Sequence, residues 1–379
     1  MKQCSYSTRC GGCQYQGTPY LEQISIKQKE VAQLFTPFNP LPFLKMDDPY
    51  YYRHKVFSTF SYSKTKKVIC GIYEEESHKI VPLEDCQIQH PIANKILQSI
   101  CVVANQLKTQ PYNEDKQIGV LRHAYIRVSY ATKQVMLVFV LGQDIFPGSK
   151  EFMKRLRALH PEITTCMTQV NKRKTSVVLG TKEKVLWGNG TIIDKLCGVS
   201  FQLSSTSFYQ VNPVQTEILY QTAITLAKLS KNETILDAYC GIGTIGLIAS
   251  TYVNQVIGVE VNKQAIHDAI NNAKENKIGN AKFYVDDATN FIHSLQQKKT
   301  KIDTVFIDPP RAGSTVDFLN ALSKLGANKI VYISCNPETQ KRDLVLLKKQ
   351  GYRVDTIQPV DMFPFTKHIE TVVLLSYRK

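Results

Sequence analysis

The stretch Asp237-Ala-Tyr-Cys-Gly241-Ile-Gly243-Thr-Ile-Gly246 decides the fold. It follows the apolar run Thr234–Ala238, carries G-x-G-x-x-G and opens a helical pattern. Glycines at this spacing let the chain turn tightly from strand to helix and approach a ligand closely. Glu260 closes the next apolar run, Gln255–Val259, about 20 residues on, where an acid holds ribose hydroxyls. Working outward, strands at Lys282–Tyr284, Thr304–Ile307, Lys329–Ile333 and Tyr352–Val360 alternate with helical patterns over 263–276, 315–325 and 337–349. The last strand pattern is Glu370–Ser376. This alternation predicts an α/β domain with a parallel, doubly wound Rossmann-like sheet, whose ligands bind at the carboxyl ends of the strands.

Upstream the pattern differs. A helical stretch lies around Tyr20–Phe35. Val56–Tyr62, Lys67–Tyr73, Ala124–Tyr130, Val135–Leu141 and Ser176–Leu179 read as short strands, with a helix over Ile92–Leu107 among them. We therefore expect two regions: 1–206, mostly β in its centre, and 207–379, a catalytic α/β domain. The chain has 47 Lys and Arg against 32 Asp and Glu, a net charge of +15. Residues 101–200 hold 15 basic and 7 acidic residues, so about a quarter of the chain carries over half of the excess. A basic surface of this kind suits a polyanion, RNA first. Tyr51-Tyr-Arg-His-Lys55 and Asn171-Lys-Arg-Lys174 interleave cations with aromatic and polar groups and are candidate RNA contacts. No apolar run approaches the roughly 18–20 residues of a membrane span, and Met1-Lys-Gln-Cys4 has no signal-peptide core, so a cytoplasmic protein is expected.

Two later strand ends carry chemistry. Asp308 follows Val305–Ile307 and precedes Pro309-Pro310-Arg311; Cys335 follows Val331–Ser334 and precedes Asn336-Pro337. A dehydrogenase has no evident use for this pair. A methyltransferase that uses S-adenosylmethionine to alkylate a pyrimidine does, because C5 of uracil is a poor nucleophile until a thiolate adds to C6. A base must then remove the C5 proton, and Asp361, His368 and Glu370 are the nearby candidates. The target base has to leave its stack, and Phe208 and Gln210, just before the α/β domain, are placed to receive it. Glu260 would hold the cofactor's ribose, with its adenine near Asp287.

Ten cysteines without a secretion signal point to metal binding or catalysis rather than disulfides. Cys4, Cys10 and Cys13, with Cys86 as the expected fourth ligand, could hold either a [4Fe–4S] cluster or a tetrahedral zinc.

Phe208-Tyr-Gln-Val-Asn-Pro213, Asp237-x-x-Cys-Gly-x-Gly243, Asp308-Pro-Pro-Arg311, Ser334-Cys-Asn-Pro337, Asp361-Met-Phe-Pro364 and His368-Ile-Glu370, in this order, resemble the RNA uracil-C5 methyltransferases. The N-terminal cysteines resemble those of the 23S ribosomal RNA branch. The resemblance spans nearly the whole chain. It implies Cys335 as nucleophile and Glu370 as the proton-abstracting base. Gln210, Tyr239, Glu260 and Asp308 match cofactor-site positions, Thr244 and Asp287 match two more, and Phe208 matches a base-stacking position. Some members carry Asn at the places of Thr244, Asp287 and His54. The resemblance also favours a [4Fe–4S] cluster over zinc and 23S ribosomal RNA as substrate, with transfer RNA as the alternative. No N-terminal TRAM-type barrel and no obligate protein partner are expected. The helical stretch over about 16–46 is expected to pack on the catalytic domain. Two rivals remain: a methyltransferase for exocyclic amines, which leaves Cys335 without a role, and a noncatalytic iron–sulfur or zinc RNA-binding protein.

Overall fold

The computed structural model describes residues 4–75, 77, 79–173, 177–180 and 182–377. After an N-terminal loop comes α1 (Tyr20–Leu34). A central unit follows: β1 (Lys55–Tyr62), β2 (Val68–Tyr73), β3 (Ile80–Pro82), α2 (Pro91–Gln106), β4 (Leu121–Val128), β5 (Val135–Leu141), α3 (Ser149–Leu159), β6 (Ile163–Val170) and β7 (Lys182–Trp187). Its seven strands run in the order β3-β2-β1-β4-β5-β6-β7, antiparallel except where α3 carries β5 over to a parallel β6. One face packs against α2 and α3 through Val56, Ile96, Ile126, Leu137 and Phe152. The opposite face, with Tyr125, Met136, Val138 and Met167, joins the core of the second unit. Covered on both sides, β4 and β5 are buried at every position, which is why Val135–Leu141 reads as continuous apolar sequence rather than alternating.

A hairpin of β8 (Ile192–Leu196) and β9 (Val199–Leu203) leads into the second unit. This contains α4 (Pro213–Ala227), β10 (Thr234–Ala238), α5 (Thr244–Ala249), β11 (Gln255–Glu260), α6 (Lys263–Glu275), β12 (Ala281–Val285), α7 (Ala288–Gln297), β13 (Thr304–Ile307), α8 (Val316–Leu325), β14 (Lys329–Ser334), α9 (Pro337–Lys349), β15 (Tyr352–Val360) and β16 (Glu370–Tyr377). The strand order is β12-β11-β10-β13-β14-β16-β15. The chain is thus α/β, with two mixed sheets: a Rossmann-like core and a β-rich unit beside it.

Three expectations change. The second sheet is not wholly parallel: β16 runs antiparallel to both β14 and β15. That reversal brings the first residue of β16 to the carboxyl end of β14. Second, no strand forms over 177–179; the sheet's edge is β7, and Ser176, like Lys174 of the basic motif, lies outside the described residues. Third, the helix α3 and strand β6 appear where the sequence pattern singled out no element, because their short apolar runs pack against a sheet rather than showing a long period.

The buried positions of α1 are Gln23, Lys27 and Val31, spaced by one turn. Val31 enters the apolar core beneath the second sheet, and α1 packs against α9. Two of its three buried residues are therefore polar, and their partners lie in the loop between β15 and β16.

Candidate active site

Sheet register assembles the site. β13 and β14 are parallel neighbours, with Ile307 opposite Tyr332, so Asp308 leaves β13 beside the end of β14. Ser334 pairs with Thr371 across the antiparallel β14–β16 ladder, so Cys335 and Glu370 face one another one step further on. Asn336 and Thr339 fix the loop that follows Asp308: Asn336 Nδ2 donates to the Arg311 carbonyl at 3.0 Å and Thr339 Oγ1 at 3.2 Å. Arg311 Nη2 meets His368 Nδ1 at 2.7 Å; since a guanidinium only donates, this nitrogen accepts and His368 is neutral. Burial and the neighbouring Arg311 charge push His368 the same way, below its ordinary value.

The electrostatics are those of crowded carboxylates. Glu370 is 1% exposed, and its Oε2 finds no hydrogen-bond partner among the described residues. Burial pushes its carboxyl well above the usual range; Asp308 adds to this and Arg311 opposes it. Burial raises Asp308 to about 7. Cys335 is half-buried, its thiol raised by burial and by Glu370 and Asp308, while Arg311 opposes through its charge and a hydrogen bond. An orphaned buried carboxylate oxygen facing an accessible thiol is an arrangement that stability does not require.

The turn after β10 lies two strands from Cys335. Asp237 accepts from the Gly246 backbone N–H at 2.8 Å, and burial raises its carboxyl to about 7. A Cβ at Gly246 would stand 2.8 Å from Val256 and 3.0 Å from Asp237, so glycine is what allows this contact. Tyr239 takes φ +65°, and its ring packs on Phe318 at 5.2 Å. Thr244 opens α5 and hydrogen-bonds the buried Tyr220 hydroxyl. Glu260, at the end of β11, accepts from Gly241 N at 3.3 Å and Asn262 N at 2.9 Å. Asp287 caps α7, accepting from Thr289 N at 2.9 Å and Asn290 N at 3.2 Å, and is exposed. Between Ser207, Phe208, Gly241, Glu260 and Asp268 lies a groove of about 110 Å³. A Cβ at Gly241 would meet nothing within 4 Å. The donor set fits S-adenosylmethionine: an open turn, a carboxylate placed for a ribose diol, and crowded acids that a sulfonium cation would relieve.

Phe208 is 63% exposed. Lys55 Nζ lies 5.0 Å from its ring centre and donates to the Tyr209 carbonyl at 3.2 Å. Burial, with Arg127 and Arg53 nearby, lowers Lys55 to about 7. Gln210 lies in the same junction, half-buried. Two residues that the sequence did not single out hold this loop: Arg127 donates to the Ser207 carbonyl at 2.6 Å and the Ser204 carbonyl at 3.2 Å, and Asp268 accepts from the Ser207 and Ser204 hydroxyls. His54 is buried against Val128 and His90 and lowered by burial to about 4, so it is part of the interior. Lys172 pairs with Asp144 at the surface.

The expected [4Fe–4S] cluster, or zinc, on Cys4, Cys10, Cys13 and Cys86 is corrected. Among the described residues no group of three or more His, Cys, Asp or Glu side chains is placed to hold a metal ion. Cys13 and Cys86 instead pack against Met46, Tyr52, Ile88 and Phe365, as small apolar side chains do. Burial, chiefly, pushes Cys13 up to about 12 and raises Cys10 and Cys86, which keeps these thiols protonated.

A Rossmann-like sheet with a glycine-rich turn, a thiol and crowded carboxylates at its ligand-binding end is a frame that suits a methyltransferase. Residues 19–378 match the family tRNA (Uracil-5-)-methyltransferase. The chain belongs to that family and is an S-adenosylmethionine-dependent RNA (uracil-C5)-methyltransferase. It is 39% identical to an uncharacterized RNA methyltransferase of Oceanobacillus iheyensis, over 97% of this chain and 82% of the relative. It is 38% identical to one of Clostridium tetani, over 99% and 82%. The tRNA (uracil-54, C5)-methyltransferase of Pyrococcus abyssi, solved with S-adenosyl-L-homocysteine, superposes with a TM-score of 0.80 at 28% identity, covering 96% of this chain and 86% of that one. The assignment to a 23S ribosomal RNA branch with an iron–sulfur cluster is thereby corrected: the matching family and this solved relative are both described by transfer RNA. Among the described residues no helix is long and apolar enough to cross a membrane.

Proposed function

We propose that the protein methylates C5 of a uridine in transfer RNA, with Cys335 as nucleophile and Glu370 as base. The observation that carries this is the β14–β16 register, which sets Cys335 against a buried carboxylate with a free oxygen. Cys335 Sγ adds to C6, which makes C5 enolate-like. S-adenosylmethionine, when bound, supplies the electrophilic methyl group. Glu370 then takes the C5 proton, the C5=C6 bond re-forms and Cys335 leaves as thiolate. Arg311 lies close enough to favour that thiolate. Gln210, Tyr239, Thr244, Glu260, Asp287 and Asp308 would hold the cofactor, and Phe208, backed by Lys55, would stack on the extruded base. Residues 207–379 would form the catalytic domain, with α1 docked on it, and the central unit would bind RNA.

The test is a covalent trap. Transfer RNA and ribosomal RNA are transcribed with 5-fluorouracil, incubated with enzyme and S-adenosylmethionine, and run on denaturing gels. We expect a protein–RNA adduct with transfer RNA that Cys335→Ala abolishes, and sequencing the trapped RNA names the uridine. An adduct confined to ribosomal RNA would overturn the substrate; no adduct with either would overturn the nucleophile.

A further inference from the structure

The N-terminal segment has polar partners in a loop far along the chain. The side chains of Lys27 and Asp361 are both fully buried, 334 residues apart in sequence. Lys27 Nζ donates to Asp361 Oδ1 at 2.6 Å, to the His368 carbonyl at 3.0 Å and to the Phe363 carbonyl at 3.2 Å, which uses all three of its protons. Asp361 Oδ2 accepts from the Tyr20 hydroxyl at 2.8 Å, which itself accepts from Met46 N at 2.9 Å. One turn before Lys27, Gln23 Oε1 accepts from Phe365 N at 2.9 Å, and Tyr15 N donates to the Phe365 carbonyl, also at 2.9 Å. The other side of the loop is held by Gln215 on the Asp361 carbonyl, Asn212 on that of Met362 and Tyr52 on that of Pro364. Phe365 sits at φ +66°, a conformation that such a grip can sustain in a non-glycine residue.

Stability alone does not account for the ion pair. Two buried charges recover their desolvation cost only with near-ideal partners, and an apolar pair of equal volume does as well or better. What the pair supplies is position. The loop spans 361–369 and delivers His368 to Arg311 and, at its end, Glu370 to Cys335.

We propose that Lys27 is a positioning residue for proton abstraction: through Asp361 it fixes the loop that aims Glu370 at C5 of the bound uracil. This rests on the assignment of Cys335 and Glu370 above. It has a stepwise signature. Forming the Cys335–C6 bond and placing the methyl group on C5 do not need the base. Loss of the C5 proton to Glu370, re-formation of C5=C6 and cleavage of the S–C6 bond do. An enzyme with a loosened loop should therefore stall as a methylated covalent adduct on natural uridine.

The experiment uses the full chain with transfer RNA transcripts and S-adenosylmethionine. The variant is the double Lys27→Met, Asp361→Asn, which removes the pair without leaving a buried unpaired charge; Tyr20→Phe removes the two hydrogen bonds of one hydroxyl, to Asp361 and from Met46 N, and keeps the packing. We expect turnover of the double variant to fall roughly 10²-fold, the scale of a misplaced reacting group. A denaturation-resistant adduct should accumulate on natural uridine RNA, while trapping of 5-fluorouracil RNA stays at the wild-type rate. Tyr20→Phe should move in the same direction by less. Wild-type turnover in the double variant would overturn the proposal. Parallel loss of turnover and of 5-fluorouracil trapping in the double variant is what general damage produces, and Tyr20→Phe, whose packing is intact, then decides: natural-uridine adduct supports the proposal, and its absence overturns it. Glu370→Gln runs beside them: if it turns over normally, the assignment of the base fails, separately from Lys27.

Discussion

Two regions of this molecule carry thiols that the sequence marks for chemistry, and they end differently. Near the N-terminus Cys10, Cys13 and Cys86 feel one another electrostatically, yet their thiols are pushed up by burial, and Cys13 and Cys86 pack among apolar side chains. At the end of β14, Cys335 is also raised by burial, but it is half-open, faces a guanidinium and stands across a strand ladder from a carboxylate with one oxygen unpartnered among the described residues. The difference teaches that thiol spacing announces less than register. A run of cysteines fixes only how far apart the residues can be; a strand pair fixes which side chains confront one another.

The largest effect should come from Cys335, the proposed nucleophile. Cys335→Ala should lower turnover at least about 10³-fold, since the whole covalent route goes with the sulfur, and single-turnover methyl transfer would show it. A Cys335→Ala enzyme with substantial activity would erase the contrast between the two regions. Glu370→Gln should cost roughly 10²- to 10⁴-fold in turnover, the usual range for a positioned base, while adduct on natural RNA builds up. Phe208→Ala should weaken RNA binding by about 1–3 kcal/mol with a smaller effect on the chemical step, read from KM against kcat.

The pH profile sharpens the same comparison. If thiolate is the attacking form, kcat/KM rises about tenfold per pH unit below the thiol's raised value, and a base with a raised carboxyl value pushes the same way. The rate should therefore still be climbing above neutral pH. Stability should run oppositely. The folded values of Asp237 and Asp308, raised to about 7 by burial, mean that the folded state holds these protons more tightly. Their contribution is complete below the unfolded carboxylate value and is lost as pH rises through about 7, so melting temperature should fall between about pH 4 and pH 7. The smallest effect belongs to the N-terminal region: Cys13→Ala should cost about 1 kcal/mol in denaturant unfolding, a modest packing loss, and leave 5-fluorouracil trapping unchanged.

Much of the second unit was legible because its signals are local. Gly241, Gly243 and Gly246 mark one turn, Asp308 and Cys335 each follow an apolar run, and Glu370 begins one. Their convergence was not legible without strand order, since the antiparallel placement of β16 cannot be read from residues 370–377 alone. Lys27 illustrates the remainder. Within Tyr20–Leu34 a lysine normally marks the solvent face, and only the buried Asp361, 334 residues on, turns it inward. Arg127 is similar: a cation inside a β pattern gives no warning that its carbonyl partners lie at Ser204 and Ser207. The cysteine pattern misleads for the opposite reason: close spacing near the N-terminus does not by itself bring side chains together around a metal.

The long reach from α1 to the β15–β16 connection has a consequence for synthesis. A growing chain releases α1 long before the hairpin that answers it. Throughout elongation Gln23 and Lys27 have no loop to grip, and Cys335 emerges before the strand that bears Glu370. Domains ordinarily fold in the order in which they are made. Here α1 must wait for β16, and the pairing of Cys335 with Glu370 is set only once the β15–β16 connection has met α1.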